Sequence, residues 1–269
     1  MNLLAFVQLS LLFCWTSVCS KKIGDKDSRL VTKTKERVPL NTANDSVDDM
    51  YFGCRDLMET KIKNTFSKKE FKTDFSGVWK NAQTCANRKT NKKLLNKNHR
   101  QAICVYTSNY KMFYARFNEA VRTQRKVYGT SFPYHFIYFW LTDAVQILNK
   151  EKECLTTYRR STEIFTGEVG QLVCFGSFTS SSKLTNLTRF GTETCFQIKT
   201  CLGAYLEDYP ALKNTEEEVL IPPYEVFIIS KKQTTGRYII DCKTVYCLEY
   251  AGVLSNLNCH AVKNNITDK

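Results

Sequence analysis

EVLIPPYEVFIIS, Glu218 to Ser230, is the stretch on which the fold reading turns. Its β-branched and aromatic residues read as extended chain rather than helix. Three runs of the same kind accompany it: QLVCFGSF (171–178), ETCFQIKTC (193–201) and RYIIDCKTVYCLEY (237–250). Gly-, Asn- and Ser-rich turns separate them. Before Gln171 the pattern is different. Tyr110, Phe113, Phe117 and Val121 follow helical spacing, as do Ile137, Trp140, Leu141, Ala144 and Leu148, with Pro133 marking the turn into the second helix. These aromatic stripes read as core. Helices first and strands second make an α+β chain, not an alternating βαβ one.

Residues 1–20 carry no charge before Lys21 and Lys22, and they end in Val18 and Ser20 at the positions a signal peptidase prefers small. A cleaved secretory signal is expected there, followed by a flexible leader over 21–47, polar and without period. One domain is expected over 48–262 and a polar tail over 263–269. No second apolar run follows, so neither a membrane span nor a lipid-anchor signal is expected.

Of the twelve cysteines, Cys14 and Cys19 fall in the signal, and the even remainder suggests a disulfide framework. Metal binding is not expected, because the cysteine spacings are wrong for zinc and there are only three histidines. Asn44, Asn186 and Asn265 begin glycosylation sequons, which places them on the surface. The net charge is +13, densest in NRKTNKKLLNKNHR (87–100) and SKKEFK (67–72). Such stretches are either an anion-binding face or a solvated surface, and secretion argues against nucleic acid.

No dinucleotide-binding glycine fingerprint or P-loop is present, and none of His99, His135 and His260 sits in a nucleophile context. Catalysis would have to use arginine, hydroxyls and carboxylates. Three such pieces occur in order: TTYRRST with Arg159, FGSFTSSSKL with Ser180, Ser181 and Ser182, and EEEVLIPP with Glu216 and Glu218. If both segments are extended, Ser180 and Ser182 share a face, and Glu216 and Glu218 share one with Glu217 turned away.

Arg, S-x-S and E-x-E in this order, the last leading into VLIPP, resemble the R-S-E-x-E signature of vertebrate arginine-specific mono-ADP-ribosyltransferases. DDMYFGC, VYTSNYKMFYARFNEAVR, FIYFWLTDAVQIL and CFQIKTCLGAYLEDY extend the likeness over residues 48–260. The resemblance implies the ADP-ribosyltransferase fold, with a helical N-terminal part and a β-sandwich-like C-terminal part. It implies NAD as co-substrate, no metal, and arginine-bearing extracellular or cell-surface proteins as partners; with the expected signal and polar C-terminus the enzyme is read as secreted, and a monomer is expected.

Residue by residue, it puts Arg159 on the NAD phosphates and Glu218 at the ribose, where positive charge develops as nicotinamide leaves. Ser180 would orient Glu218, and Glu216 would hold and deprotonate the acceptor guanidinium. Tyr106, Ser177 and Ser182 would complete the NAD site. Two departures stand out: Ser177 occupies a place where the family often has Gln, and YPALKN (209–214) lacks a serine the family tends to place there. The resemblance further pairs Cys54 with Cys259 and Cys154 with Cys201, leaving Cys85, Cys104, Cys174, Cys195, Cys242 and Cys247 unassigned. NAD hydrolysis, with water as acceptor, and a non-catalytic secreted binding module are the competing readings.

Overall fold

The computed structural model describes residues 35–88, 94–150, 153–211, 215–234 and 240–265. The expected signal, leader residues 21–34, the centre of the first basic stretch and the last four residues lie outside the described residues. So does the side chain of Asn265.

The helical part runs through α1 (Arg55–Lys61), a π-helical turn (Ile62–Phe66), α2 (Ser67–Glu70), α3 (Phe75–Asn81), α4 (Gln83–Ala86), α5 (Lys97–Thr107), α6 (Phe113–Thr123) and α7 (His135–Asn149). The strands are β1 (Arg37–Pro39), β2 (Leu155–Ser161), β3 (Ile164–Thr166), β4 (Leu172–Val173), β5 (Thr179–Ser182), β6 (Thr194–Thr200), β7 (Ala204–Tyr205), β8 (Glu218–Ile221), β9 (Glu225–Gln233) and β10 (Thr244–Val253).

α7 is the centre of the larger core. Ile137, Trp140, Leu141, Ala144 and Leu148 are buried, and so is every residue between His135 and Val145. A helix apolar on all sides must be covered on all sides, and α5 packs along it. The Glu70 carboxylate receives the first two N–H groups of α7, from His135 at 2.8 Å and Phe136 at 3.0 Å. These groups have no partner within the helix; burial pushes the Glu70 pKa up to about 8, with the two backbone hydrogen bonds opposing the rise, so the side chain serves as their acceptor rather than as a fixed negative charge. His135 accepts the Gly129 N–H on Nε2 at 3.0 Å, and burial drives its pKa down to about 3, so the ring is neutral. His99 belongs to a capping box with Asn96 and bonds Asp143 at 2.7 Å through Nε2. Both histidines are structural.

α6 starts later than the spacing predicts. Tyr110 lies in a 3-10 turn, and Lys111 and Met112 have φ of 51° and 52°. Left-handed residues cannot extend a right-handed helix, so the apolar stripe begins at Phe113.

Among the described residues the main sheet has eight strands in the order β4-β9-β10-β6-β2-β5-β8-β7. Only β10 and β6 run parallel within it. β2 and β5 touch through a single pair, Tyr158 with Ser182. The sheet is therefore continuous but divided at its middle. Phe178, Ala204 and Leu220 on one side join the helical core, while Phe196, Phe227 and Tyr246 on the other join a second, smaller core.

The leader reading fails over residues 35–47. β1 pairs in parallel with β3, Leu40 fills the second core, and Val47 is fully buried in the first. A three-residue strand held by backbone bonds needs no apolar period, so composition does not reveal it. At the other end, a 3-10 helix over His260–Asn265 extends into the stretch read as tail, and Val262 is buried.

Disulfides join Cys54 to Cys259 and Cys154 to Cys201, and also Cys85 to Cys104 and Cys195 to Cys242. Cys174 and Cys247 are unpaired. Around the first bridge, Asp48 accepts the N–H groups of Asn256 and Leu257 at 2.9 Å each, and Asp49 accepts that of Cys259 at 3.0 Å. Removing a bridge that closes so long a loop costs roughly 2–5 kcal/mol. The carboxylate stitches hold the same ends in the bridge's absence, so the lower half of that range is expected for Cys54→Ala with Cys259→Ala. A domain of this size then melts about 5–10 °C lower. A thermal melt of the double variant against the parent decides it, and an unchanged midpoint would assign the closure to Asp48 and Asp49 alone.

Candidate active site

The place where β2, β5 and β8 meet brings Arg159, Ser180 and Glu218 together. Arg159 donates from Nη1 to the Ser180 carbonyl at 2.7 Å. Ser180 Oγ donates to Glu218 Oε1 at 2.6 Å. The register sets Ser182 opposite Glu218 and Ser180 opposite Leu220, so the serine reaches the carboxylate along the diagonal. Burial raises the Glu218 pKa to about 7, with the Ser180 hydrogen bond opposing and the Glu216 charge adding to the rise.

That last effect makes Glu216 and Glu218 close neighbours, but strand alternation is not the reason. β8 begins only at Glu218, and Glu217 has φ of 42°. Glu216 and Glu217 lie in the bend that enters the strand at Glu218. Glu217 anchors it by accepting the Lys183 N–H on its carbonyl at 3.2 Å. Glu216 is partly exposed and receives Arg189 Nη2 on Oε1 at 2.5 Å. Asn186, in the same loop as Arg189, is exposed, as is Asn44.

The remaining expected NAD residues divide. Ser182 Oγ donates to the Glu216 carbonyl at 2.5 Å and accepts the Leu184 N–H at 2.8 Å, so it shapes backbone. Tyr106 is buried on α5, donates its hydroxyl to the Phe178 carbonyl at 2.8 Å and accepts Asn118 Nδ2 at 3.1 Å. It props the start of β5. Ser177 is buried and accepts Arg122 Nη1 at 2.8 Å.

Asn118 and Arg122 were not picked out by sequence reasoning. They lie one helical turn apart on α6, a spacing that puts both on one face. That polar pair beside the Phe113 and Phe117 stripe is the only signal the sequence offers. Burial lowers the Arg159 pKa, and the positive charge of Arg122 lowers it further. Arg122 reaches Ser177 just before β5 and Arg159 reaches the Ser180 carbonyl within it, so two guanidiniums come to the same strand, an arrangement suited to a doubly charged anion. The buried carboxylate of Glu218 is suited to a cation. Among the described residues no cluster of three His, Cys, Asp or Glu is placed to hold a metal. No described helix is long and apolar enough to cross a membrane.

Residues 40–245 match the family model described as NAD:arginine ADP-ribosyltransferase. An erythroblast NAD(P)(+)–arginine ADP-ribosyltransferase of Gallus gallus is 32% identical over 242 residues, which are 85% of this chain and 77% of the chicken protein. Ecto-ADP-ribosyltransferase 4 of Mus musculus is 31% identical over 86% of this chain and 79% of its own length. The crystal structure of a mutant of the eukaryotic mono-ADP-ribosyltransferase ART2.2 in complex with NADH superposes with a TM-score of 0.68 at 31% identity, covering 82% of this chain and 98% of that one. On these matches of sequence and fold, the chain belongs to the NAD:arginine ADP-ribosyltransferase family.

Proposed function

We propose that this chain is a secreted enzyme that transfers ADP-ribose from NAD to arginine side chains of extracellular proteins, releasing nicotinamide. The observation that carries the reading is the Ser180–Glu218 hydrogen bond at 2.6 Å, formed beside two arginines and a second carboxylate. Arg159 and Arg122 offer the positive field that the NAD pyrophosphate requires. Glu218, held by Ser180, faces the ribose. As the bond to nicotinamide breaks, the sugar gains positive charge, and a buried carboxylate stabilises it far more than one in water does. Glu216, more exposed than Glu218 and able to pair with a guanidinium as it does with Arg189, meets the acceptor arginine and takes its proton as the new bond forms. Four disulfides fit an oxidising compartment.

The test is incubation with labelled NAD and agmatine. Agmatine labelling with matching nicotinamide release is expected. Nicotinamide release without labelling would make the protein an NAD glycohydrolase, and neither would leave the binding module.

The carboxylate must be ionised to act, which fixes a pH dependence. With the Glu218 pKa raised to about 7, kcat/KM for NAD should fall tenfold per pH unit below that value and level off above it. The positive nicotinamide ring stabilises the carboxylate in the complex, so the limb in kcat should lie at lower pH. Stability runs the other way for this group. Between the ordinary value of 4.5 and about 7 the folded chain holds a proton that the unfolded chain has lost, so the Glu218 contribution falls as pH rises. Lost activity at pH 6 with an undiminished melting midpoint is the expected signature. A kcat/KM flat from pH 5 to 8 would remove Glu218 from the role.

A further inference from the structure

Arg189 already stands where the proposed reaction needs an acceptor. It lies on the loop between β5 and β6, and its guanidinium meets the Glu216 carboxylate at 2.5 Å, with the Phe190 ring 4.7 Å from its Cζ. Side-chain exposure is 54% for Arg189 and 33% for Glu216. An ion pair so open to water adds little to stability, so its placement calls for another explanation.

The loop is built to present this residue. Buried Arg160 reaches the Thr185 carbonyl from Nε and Nη2 at 3.1 and 2.8 Å, and the Gly191 carbonyl from Nη1 at 3.4 Å. It thereby holds both ends of the loop. Gly191, at φ of 118°, lies so close to β2 that a Cβ there would stand 2.4 Å from the Ser161 carbonyl carbon. Ser182 and Lys183 bind the Glu216 and Glu217 carbonyls. The segments carrying Arg189 and Glu216 are laced to each other.

We propose that Arg189 is an intramolecular acceptor, the site at which the enzyme ADP-ribosylates itself. The proposal rests on the acceptor role given to Glu216 above. The bond between the ribose anomeric carbon and the nicotinamide nitrogen breaks, and its electron pair leaves on nicotinamide, which departs neutral. A guanidino nitrogen of Arg189 forms the new bond to that carbon. The proton it loses passes to Glu216 and on to water. Atoms and charge balance with NAD as the only co-reactant.

The test uses the full chain with labelled NAD, peptide mass spectrometry to locate the label, and agmatine labelling measured in parallel. ADP-ribose should appear on Arg189 at an initial rate per molecule that stays constant when protein concentration is varied, as an intramolecular step requires. Arg189→Gln and Arg189→Lys should lose at least about tenfold of the self-label while still labelling agmatine and releasing nicotinamide; acceptors held in place gain far more than that over free ones. An unmodified Arg189 in a chain that labels agmatine overturns this proposal alone. So does a rate per molecule that rises with protein concentration. A chain that labels neither and releases no nicotinamide overturns the transferase reading beneath it.

Discussion

Glu218→Gln should suppress nicotinamide release and arginine labelling together, by about two to three orders of magnitude, the loss of roughly 3–4 kcal/mol that removing one transition-state electrostatic contact brings. Both outcomes fall because both pass through the same cleavage, and the acceptor matters only afterwards. The substitution is close to isosteric, and the amide oxygen can still accept the Ser180 hydroxyl that Oε1 accepts at 2.6 Å. Burial opposes the charge at this position, as the raised pKa shows, so a neutral side chain relieves the folded state. The melting midpoint should stay level or rise while activity collapses. A variant that melts lower and loses activity in proportion would reduce Glu218 to a structural residue. One that keeps release within a few-fold of the parent would remove it from the chemistry.

The residues that meet at this junction were legible because they are few, ordered and chemically distinctive. Arginine, serine and two carboxylates follow one another along the chain, and extended runs surround them. What was not legible depends on long-range geometry. Arg122 sits on a different element from Arg159, and nothing in VRTQ says that its charge falls beside β2. Arg160 reads as a twin of Arg159, yet it points into the loop beyond β5 and ties both ends of it. The turn at Glu217 escaped because a non-glycine residue at φ of 42° carries no sequence mark. Alternation put Glu216 and Glu218 on one side for a reason that does not hold; the turn brings them together instead. β1 escaped because a short parallel pair is held by backbone groups that every residue has.

Glu216→Gln should separate the two products. General-base assistance contributes about 10²- to 10⁴-fold, so agmatine labelling should drop by at least the lower figure. Nicotinamide release should stay within a few-fold, because Glu218 and its Ser180 partner are untouched and water can take the vacant place. The substitution also breaks the ion pair with Arg189. An exposed pair of that kind is worth about 0–1 kcal/mol, too little to unfold a domain closed by Cys54–Cys259 and three further bridges. Glu217→Gln is the control within the same turn. The contact assigned to Glu217 is made by its main-chain carbonyl, which accepts the Lys183 N–H, and glutamine preserves it. Neither product should change by more than a few-fold. Measuring release and labelling side by side for the three variants keeps chemistry and folding apart. Should Glu217→Gln lose transfer while Glu216→Gln retains it, the acceptor would belong to the residue in the left-handed turn, and Arg189 would be paired with a bystander.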